Sequence, residues 1–318
     1  MGKKERKERA QERREKRIQD VSEFREIPYT DQDRWWCSDT VAVVTGANRG
    51  IGYEISRQLA VHGLKVILTS RRVPIDENVV NSLKEQGLDI VTHQLDITSP
   101  ESIQIFADWI RERYGGLDIL VNNAGVNFNI GSENSTEYAE TVIETNYYGT
   151  KRMIEAMIPL MKPSPCGSRI VNVSSRLGKL NGRRNRLGDA MLREQLADVS
   201  TLSEEAIESV LSRFLEEVKQ GNIIANSKWP QMFTDYSLSK MAVNTYTRLM
   251  ARALHNRPNG HQIYMNCYCP GWVKTAMSGW MGNLSVELGA DTGVWLALAH
   301  PCQLVTGKFF AERREINF

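Results

Sequence analysis

The segment Thr45-Gly46-Ala47-Asn48-Arg49-Gly50-Ile51-Gly52 lies between two patterns of different period, and it constrains the fold more than any other part of this 318-residue chain. Before it stands Val41-Ala42-Val43-Val44, a continuously apolar run of the kind found in a parallel strand buried on both faces. After it a helical pattern runs through Leu59. Glycines between a buried strand and a helix allow a sharp turn and close helix–strand packing, so a βα unit is expected here.

The alternation continues along the chain. Strand-like runs at 65–69, 90–93, 118–121, 170–173, 263–266 and 307–310 are separated by helical patterns. Together with the first run they predict an α/β fold, a Rossmann-type doubly wound sheet of seven parallel strands. The rhythm breaks between Ser175 and Tyr236. A basic stretch from Arg176 to Arg186 is followed there by Ile207, Val210, Leu211, Phe214, Leu215 and Val218 at helical spacing. Residues 176–232 are therefore read as a helical insertion within a single domain spanning 35–318. Residues 1–34 form a charged N-terminal extension whose first 20 residues hold nine Lys/Arg against five acids. They carry too few apolar groups to bury a face, which predicts a solvated helix or a disordered tail. Trp35 and Trp36 are expected to strap this tail to the body.

Charge and cysteine usage exclude several classes. The whole chain has a formal charge of +2 and the first 20 residues a surplus of four, so the rest stands at −2. Without a cationic surplus on the body, nucleic acid is not an expected partner. No apolar run approaches the ~20 residues that cross a bilayer, so membrane insertion is not expected. The five cysteines form no CxxC pair and no zinc pattern with the five histidines. Their odd number implies reduced thiols, a cytoplasmic location and no metal site.

The chemistry begins at the glycine loop, where a helix amino terminus and close backbone amides can receive a pyrophosphate. The second strand ends in Thr69-Ser70-Arg71-Arg72. An acid at this place would bind the adenosine ribose of NAD. Guanidinium groups from Arg71 and from Arg49 in the loop instead match the extra phosphate of NADP.

Further motifs occur in a fixed order: Asn122-Asn123-Ala124-Gly125, Ser174-Ser175, Tyr236-Ser237-Leu238-Ser239-Lys240 and Pro270-Gly271. With the glycine loop, they make the chain from about Thr40 onward resemble the short-chain dehydrogenase/reductase family. The long interval before Tyr236 resembles the carbonyl reductase group, which includes plant menthone and salutaridine reductases. Thr145 to Thr150, Val171 to Ser175, Trp229-Pro230 and Cys269 to Thr275 support that likeness.

The resemblance implies an NADPH-dependent reductase acting on the carbonyl of a hydrophobic aldehyde or ketone. Tyr236 would donate the proton. A phenol has an ordinary pKa near ~10, and Lys240, on the same helix face, would stabilise its phenolate. Ser175 would hold the carbonyl oxygen, with Ser174 as the fallback, and Asn146 would maintain a water relay to the lysine. Gly46, Asn48, Arg49, Gly50, Ile51, Gly52, Arg71, Asp96, Ile97, Asn123, Tyr236, Lys240, Val273 and Thr275 would contact the cofactor. For Asp96, helix capping near Thr98-Ser99-Pro100 competes with adenine binding. Val126, Phe128, Arg176, Leu177, Trp229, Met232, Trp272 and Met277 are pocket candidates, and their apolar character suggests a hydrophobic substrate. An alcohol dehydrogenase working oxidatively and a non-catalytic NADP-binding scaffold are the alternatives.

The insertion bears on assembly. In the common family oligomer, two long helices beside the active-site strands meet their symmetry mates. An apolar stripe from Ile207 to Val218 could cover that surface within one chain, so a monomer is expected.

Overall fold

The computed structural model describes residues 3–26, 30, 33–72, 77–129, 134–182, 185–221, 228–300 and 305–318. Helix α1 (Lys3–Glu26) is followed by β1 (Val41–Val44), α2 (Gly50–Val61), β2 (Lys65–Ser70), α3 (Glu77–Glu85), β3 (Ile90–Gln94), α4 (Pro100–Tyr114) and β4 (Ile119–Asn122). Next come α5 (Ala139–Ile143), a π turn (Glu144–Gly149), α6 (Thr150–Met157), β5 (Ser168–Val173), α7 (Ala190–Ala197), α8 (Glu204–Lys219) and α9 (Thr234–Ala253). The chain ends with β6 (Ile263–Tyr268), α10 (Val286–Leu298), β7 (Phe309–Ala311) and β8 (Arg314–Ile316).

All strands form one sheet in the order β3-β2-β1-β4-β5-β6-β7-β8. The first seven run parallel, as the alternating pattern requires. The expectation of seven strands is corrected by β8, which pairs antiparallel with β7.

The two faces of the sheet separate along each strand with the period of two that a pleat imposes. Val41 and Val43 enter one core with α4, α6, α8 and α9. Ala42 and Val44 enter the other with α2, α3 and α10. The apolar stripe of the insertion joins the first core: Ile207, Val210, Leu211 and Phe214 are buried.

The extension is helical, and its last turns touch the body rather than standing free in solvent. Val21 is buried, Asp20 accepts from Arg314 Nη2 at 2.8 Å, and Arg17 faces Glu312 at 3.5 Å. Two tryptophans anchor the chain beyond it. Trp35 Nε1 donates to the Leu298 carbonyl at 3.2 Å, and Trp36 Nε1 to that of His62 at 3.0 Å. The buried guanidinium of Arg169 stacks on Trp35, 4.3 Å from the ring centre. No described helix is long and apolar enough to cross a membrane.

Candidate active site

Strand order reverses between β1 and β4, so the loops after these strands flank a crevice at the carboxyl ends of the sheet. Gly46 and Gly50 both have φ of 60°, a left-handed conformation open to glycine. A methyl group at Gly46 would also fall 2.8 Å from Ala124 Cα. Asn123 joins the two loops. Its Nδ2 donates to the Thr45 and Gly46 carbonyls, both at 2.9 Å, and its N–H donates to Thr45 Oγ1 at 3.0 Å.

Helix α2 starts with Arg49 as its N-cap, no side chain caps it, and its first turn holds no acid. Its leading amides are therefore available to an anion. Asn48 and Ile51 are half-buried beside them. At the end of β2, Ser70 is buried while Arg71 and Arg72 are exposed, as is Arg49. None of the three guanidinium groups is held in an ion pair by a described residue. A glycine cradle, an uncapped helix and three free cations fit a dinucleotide carrying an additional phosphate.

Asp96 is not the helix cap. Its Oδ1 accepts from Thr98 N–H at 2.9 Å and from Thr98 Oγ1 at 2.7 Å, whereas Ser99 Oγ caps α4 by accepting from the Ser102 N–H at 3.1 Å. Ile97 turns its side chain into the core against Gly149. Val273 is buried, and Thr275 caps the short turn Ala276–Ser278. A methyl group on Gly50 would lie 3.5 Å from Thr275 Cγ2, so the glycine loop and the loop after β6 approach one another.

The four expected catalytic residues converge. Asn146 sits in the π turn, a helix distortion that recurs at functional sites. It is fully buried: Oδ1 accepts from Val126 N–H at 2.7 Å, and Nδ2 donates to the Val126 carbonyl and to Ser239 Oγ, both at 2.9 Å. Gly125 marks where it meets the lysine, because a methyl group there would lie 3.0 Å from Asn146 Oδ1 and 3.5 Å from Lys240 Nζ. The sequence reading assigned Gly125 no such place; only its small size within the motif hinted at it.

Tyr236 is the third residue of α9, and Ser175 is the second residue beyond the end of β5. The Ser175 hydroxyl accepts from the Leu177 N–H at 3.1 Å and stands near enough to the Tyr236 phenol to influence its titration. Ser174 has a different role. It is buried, donating its hydroxyl to the Lys240 carbonyl at 3.3 Å and its N–H to the Tyr268 carbonyl at 2.7 Å.

Burial pushes the Tyr236 phenol above its ordinary range and the neighbouring Cys269 adds to this, while the nearby Ser175 hydroxyl pulls downward. Lys240 was expected to lower that phenol, but its Nζ donates to the Val173 carbonyl at 2.9 Å and lies 5.7 Å from the Tyr236 ring centre. Burial lowers the Lys240 ammonium to about 8, against an opposing pull from Cys269 and Cys267.

Phe128, Met232, Trp272 and Met277 are exposed large apolar residues, and Val126 and Leu177 are half-buried. Tyr138, which the sequence reading passed over, packs on Phe128 with ring centres 4.5 Å apart. Trp229 is removed from the pocket candidates. It is 1% exposed, its Nε1 donates to Glu217 at 2.7 Å, and its ring meets Phe214 edge-on at 5.4 Å. Its apolar character suggested a pocket wall, but packing against α8 places it in the core.

Residues 40–186 match a family model described as short chain dehydrogenase. Short-chain dehydrogenase/reductase 1 of Saponaria officinalis is 40% identical over 300 residues, covering 87% of this chain and 95% of the relative. NADPH carbonyl reductase 1 of Mus musculus is 37% identical over 266 residues, covering 83% and 92%. The structure of salutaridine reductase from Papaver somniferum aligns with a TM-score of 0.75 at 35% identity, covering 85% of this chain and 99% of that one. This chain belongs to the short-chain dehydrogenase/reductase family.

Proposed function

We propose that this protein is an NADPH-dependent reductase that converts the carbonyl of a hydrophobic aldehyde or ketone to an alcohol, with Tyr236 as proton donor. The observation that carries this reading is the meeting of Asn146 Oδ1 and Lys240 Nζ behind Gly125, with the Lys240 ammonium 5.7 Å from the Tyr236 ring centre. NADP is the cofactor: the amides leading α2 would hold its pyrophosphate, and Arg49 and Arg71 would pair with its additional phosphate. When bound, NADPH supplies the hydride.

The residues of the chain do the rest. Because burial raises its pKa, the Tyr236 phenol carries its proton at neutral pH, the form that a reduction consumes. Ser175 donates a hydrogen bond to the carbonyl oxygen as negative charge develops there. Lys240 holds a positive charge close to the phenolate left after transfer. Val126, Phe128, Leu177, Met232, Trp272 and Met277 supply an apolar wall for the substrate.

The reductase acts as a monomer in the cytosol, and metal and nucleic acid have no part in the reaction. Helix α8 packs on α5 and α9, and Lys151 draws Glu204 and Glu208 of α8 onto α6. The insertion thus covers a helical surface that a subunit partner would need. The free thiols of Cys37, Cys166, Cys267 and Cys269 suit a reducing compartment.

NADPH consumption across a panel of aldehydes and cyclic ketones tests the function. Turnover with at least one apolar member, and much weaker turnover with NADH, is expected. Folded protein that binds NADPH but consumes none with any member would refute it.

A further inference from the structure

Helix α9, which carries Tyr236, begins without a side-chain cap of its own. Its N-cap residue, Phe233, is left-handed at φ 45° and ψ 60° and has no side-chain oxygen to offer the first turn. The missing acceptors come from two places. Asn134, 100 positions earlier, accepts from the Thr234 N–H at 2.8 Å through Oδ1. The Tyr236 N–H donates to Asp235 Oδ1 at 2.6 Å, and the same oxygen accepts from Asn129 Nδ2 at 2.8 Å.

Asn129 also organises its own loop. Its Oδ1 accepts from the Ser135 N–H at 2.7 Å, and its N–H donates to Asn127 Oδ1 at 3.1 Å. Asn129 is 3% exposed and Asp235 1%, so the pair is enclosed by protein. Asp235 Oδ2 has no partner among the described residues. Burial pushes the Asp235 carboxyl up while the bonds from Tyr236 and Asn129 pull it down, so those bonds are what reconcile the carboxylate with its site. At the other end of this loop, Asn146 fixes both backbone groups of Val126.

We propose that Asn129, Asp235 and Asn134 form a capping clasp through which the loop after β4 sets the position of Tyr236 relative to the substrate wall at Val126 and Phe128. The clasp rests on the reading of Tyr236 as proton donor. A carbonyl held against that wall meets the phenol at a distance set by two attachments, Asn146 at one end of the loop and the clasp at the other. Asn129 and Asn134 are positioning residues. They act through the first turn of α9 and touch no reacting atom.

The test is steady-state kinetics on the aldehyde or cyclic ketone that the wild-type chain reduces fastest, with NADPH affinity measured alongside. Asn129→Ala and Asp235→Ala should each lower kcat/KM by about tenfold to a hundredfold, the range expected when a reacting group is misplaced by a fraction of an ångström. NADPH affinity should stay within about twofold. The double variant should be no worse than the poorer single one, because both break one link. Asp235→Asn, which keeps an oxygen acceptor, should recover most of the loss. Asn134→Ala, on an exposed side chain, should also lower kcat/KM and guards against a fold lost at the buried positions. Losses that multiply in the double variant, alanine variants close to wild type, or an equal fall in NADPH affinity would overturn the clasp. Tyr236→Phe, run in parallel, separates the two ideas: turnover in that variant defeats the proton-donor reading, whereas an inactive Tyr236→Phe beside unaffected Asn129→Ala and Asn134→Ala defeats the clasp alone.

Discussion

Lys240 Nζ donates to the Val173 carbonyl oxygen at 2.9 Å, tying the fifth strand to the helix that carries Tyr236. The ammonium is buried there, and its pKa falls from 10.5 to about 8. Between those values the unfolded chain binds more protons than the folded one, so stability contributed by this group rises with pH across the window. Below about pH 8 the charged, buried form carries its full cost, ~3 kcal/mol at ~1.4 kcal/mol per pKa unit. Urea unfolding of cofactor-free protein at pH 7.5 and pH 10 checks this. The wild type should gain on Lys240→Met at the higher pH, and a constant difference between the two proteins would contradict it.

The two adjacent serines should separate in function. Ser175→Ala removes the hydroxyl beside Tyr236 and should lower kcat by about a hundredfold to a thousandfold, as loss of an oxyanion donor does. Ser174→Ala removes a buried hydrogen bond to the Lys240 carbonyl and should cost about 1 kcal/mol of stability. Kinetics and urea unfolding on both variants check the pair, and the reverse pattern would reassign the two residues.

Cofactor choice should depend on Arg71. Arg71→Ala should weaken NADPH binding by about tenfold to a hundredfold, the worth of a charge-assisted hydrogen bond, and NADH binding far less. Titration of both cofactors measures this. Equal losses would mean that Arg71 does not read the additional phosphate.

The covered face of α9 makes the oligomeric state testable. Light scattering at micromolar concentration should give one species at the 36.1 kDa of the chain. A stable dimer or tetramer would contradict the protective role given to α8.

The sheet was legible in the sequence because short strand-like runs, the first continuously apolar and followed by a glycine loop, alternate with helical patterns. Strand β8 was not. Its hairpin turns through Glu312 and Arg313, both non-glycine residues at positive φ (55° and 52°), where Asn-Gly would have signalled a turn. Tertiary contacts hold them in place: Arg313 pairs with the buried Asp291 at 2.8 and 2.7 Å, and its N–H donates to Thr292 Oγ1 at 3.1 Å. The glycine loop and the Tyr236–Lys240 spacing are local signals, and the sequence carried both. The bond between Asn129 and Asp235 joins residues 106 positions apart, and no local pattern records it. Trp229 failed for the complementary reason. Its apolar character says nothing of the side on which Phe214 buries it.

The most direct measurement of the proposed chemistry is single-turnover reduction by Tyr236→Phe, with NADPH binding followed in the same samples. The substitution removes one hydroxyl from a half-buried ring and leaves Lys240 on its Val173 carbonyl. NADPH should bind within about threefold of wild type, while hydride transfer to the carbonyl falls by about a hundredfold or more for want of the proton donor. Transfer at a rate close to wild type would contradict the assignment of Tyr236 as the acid.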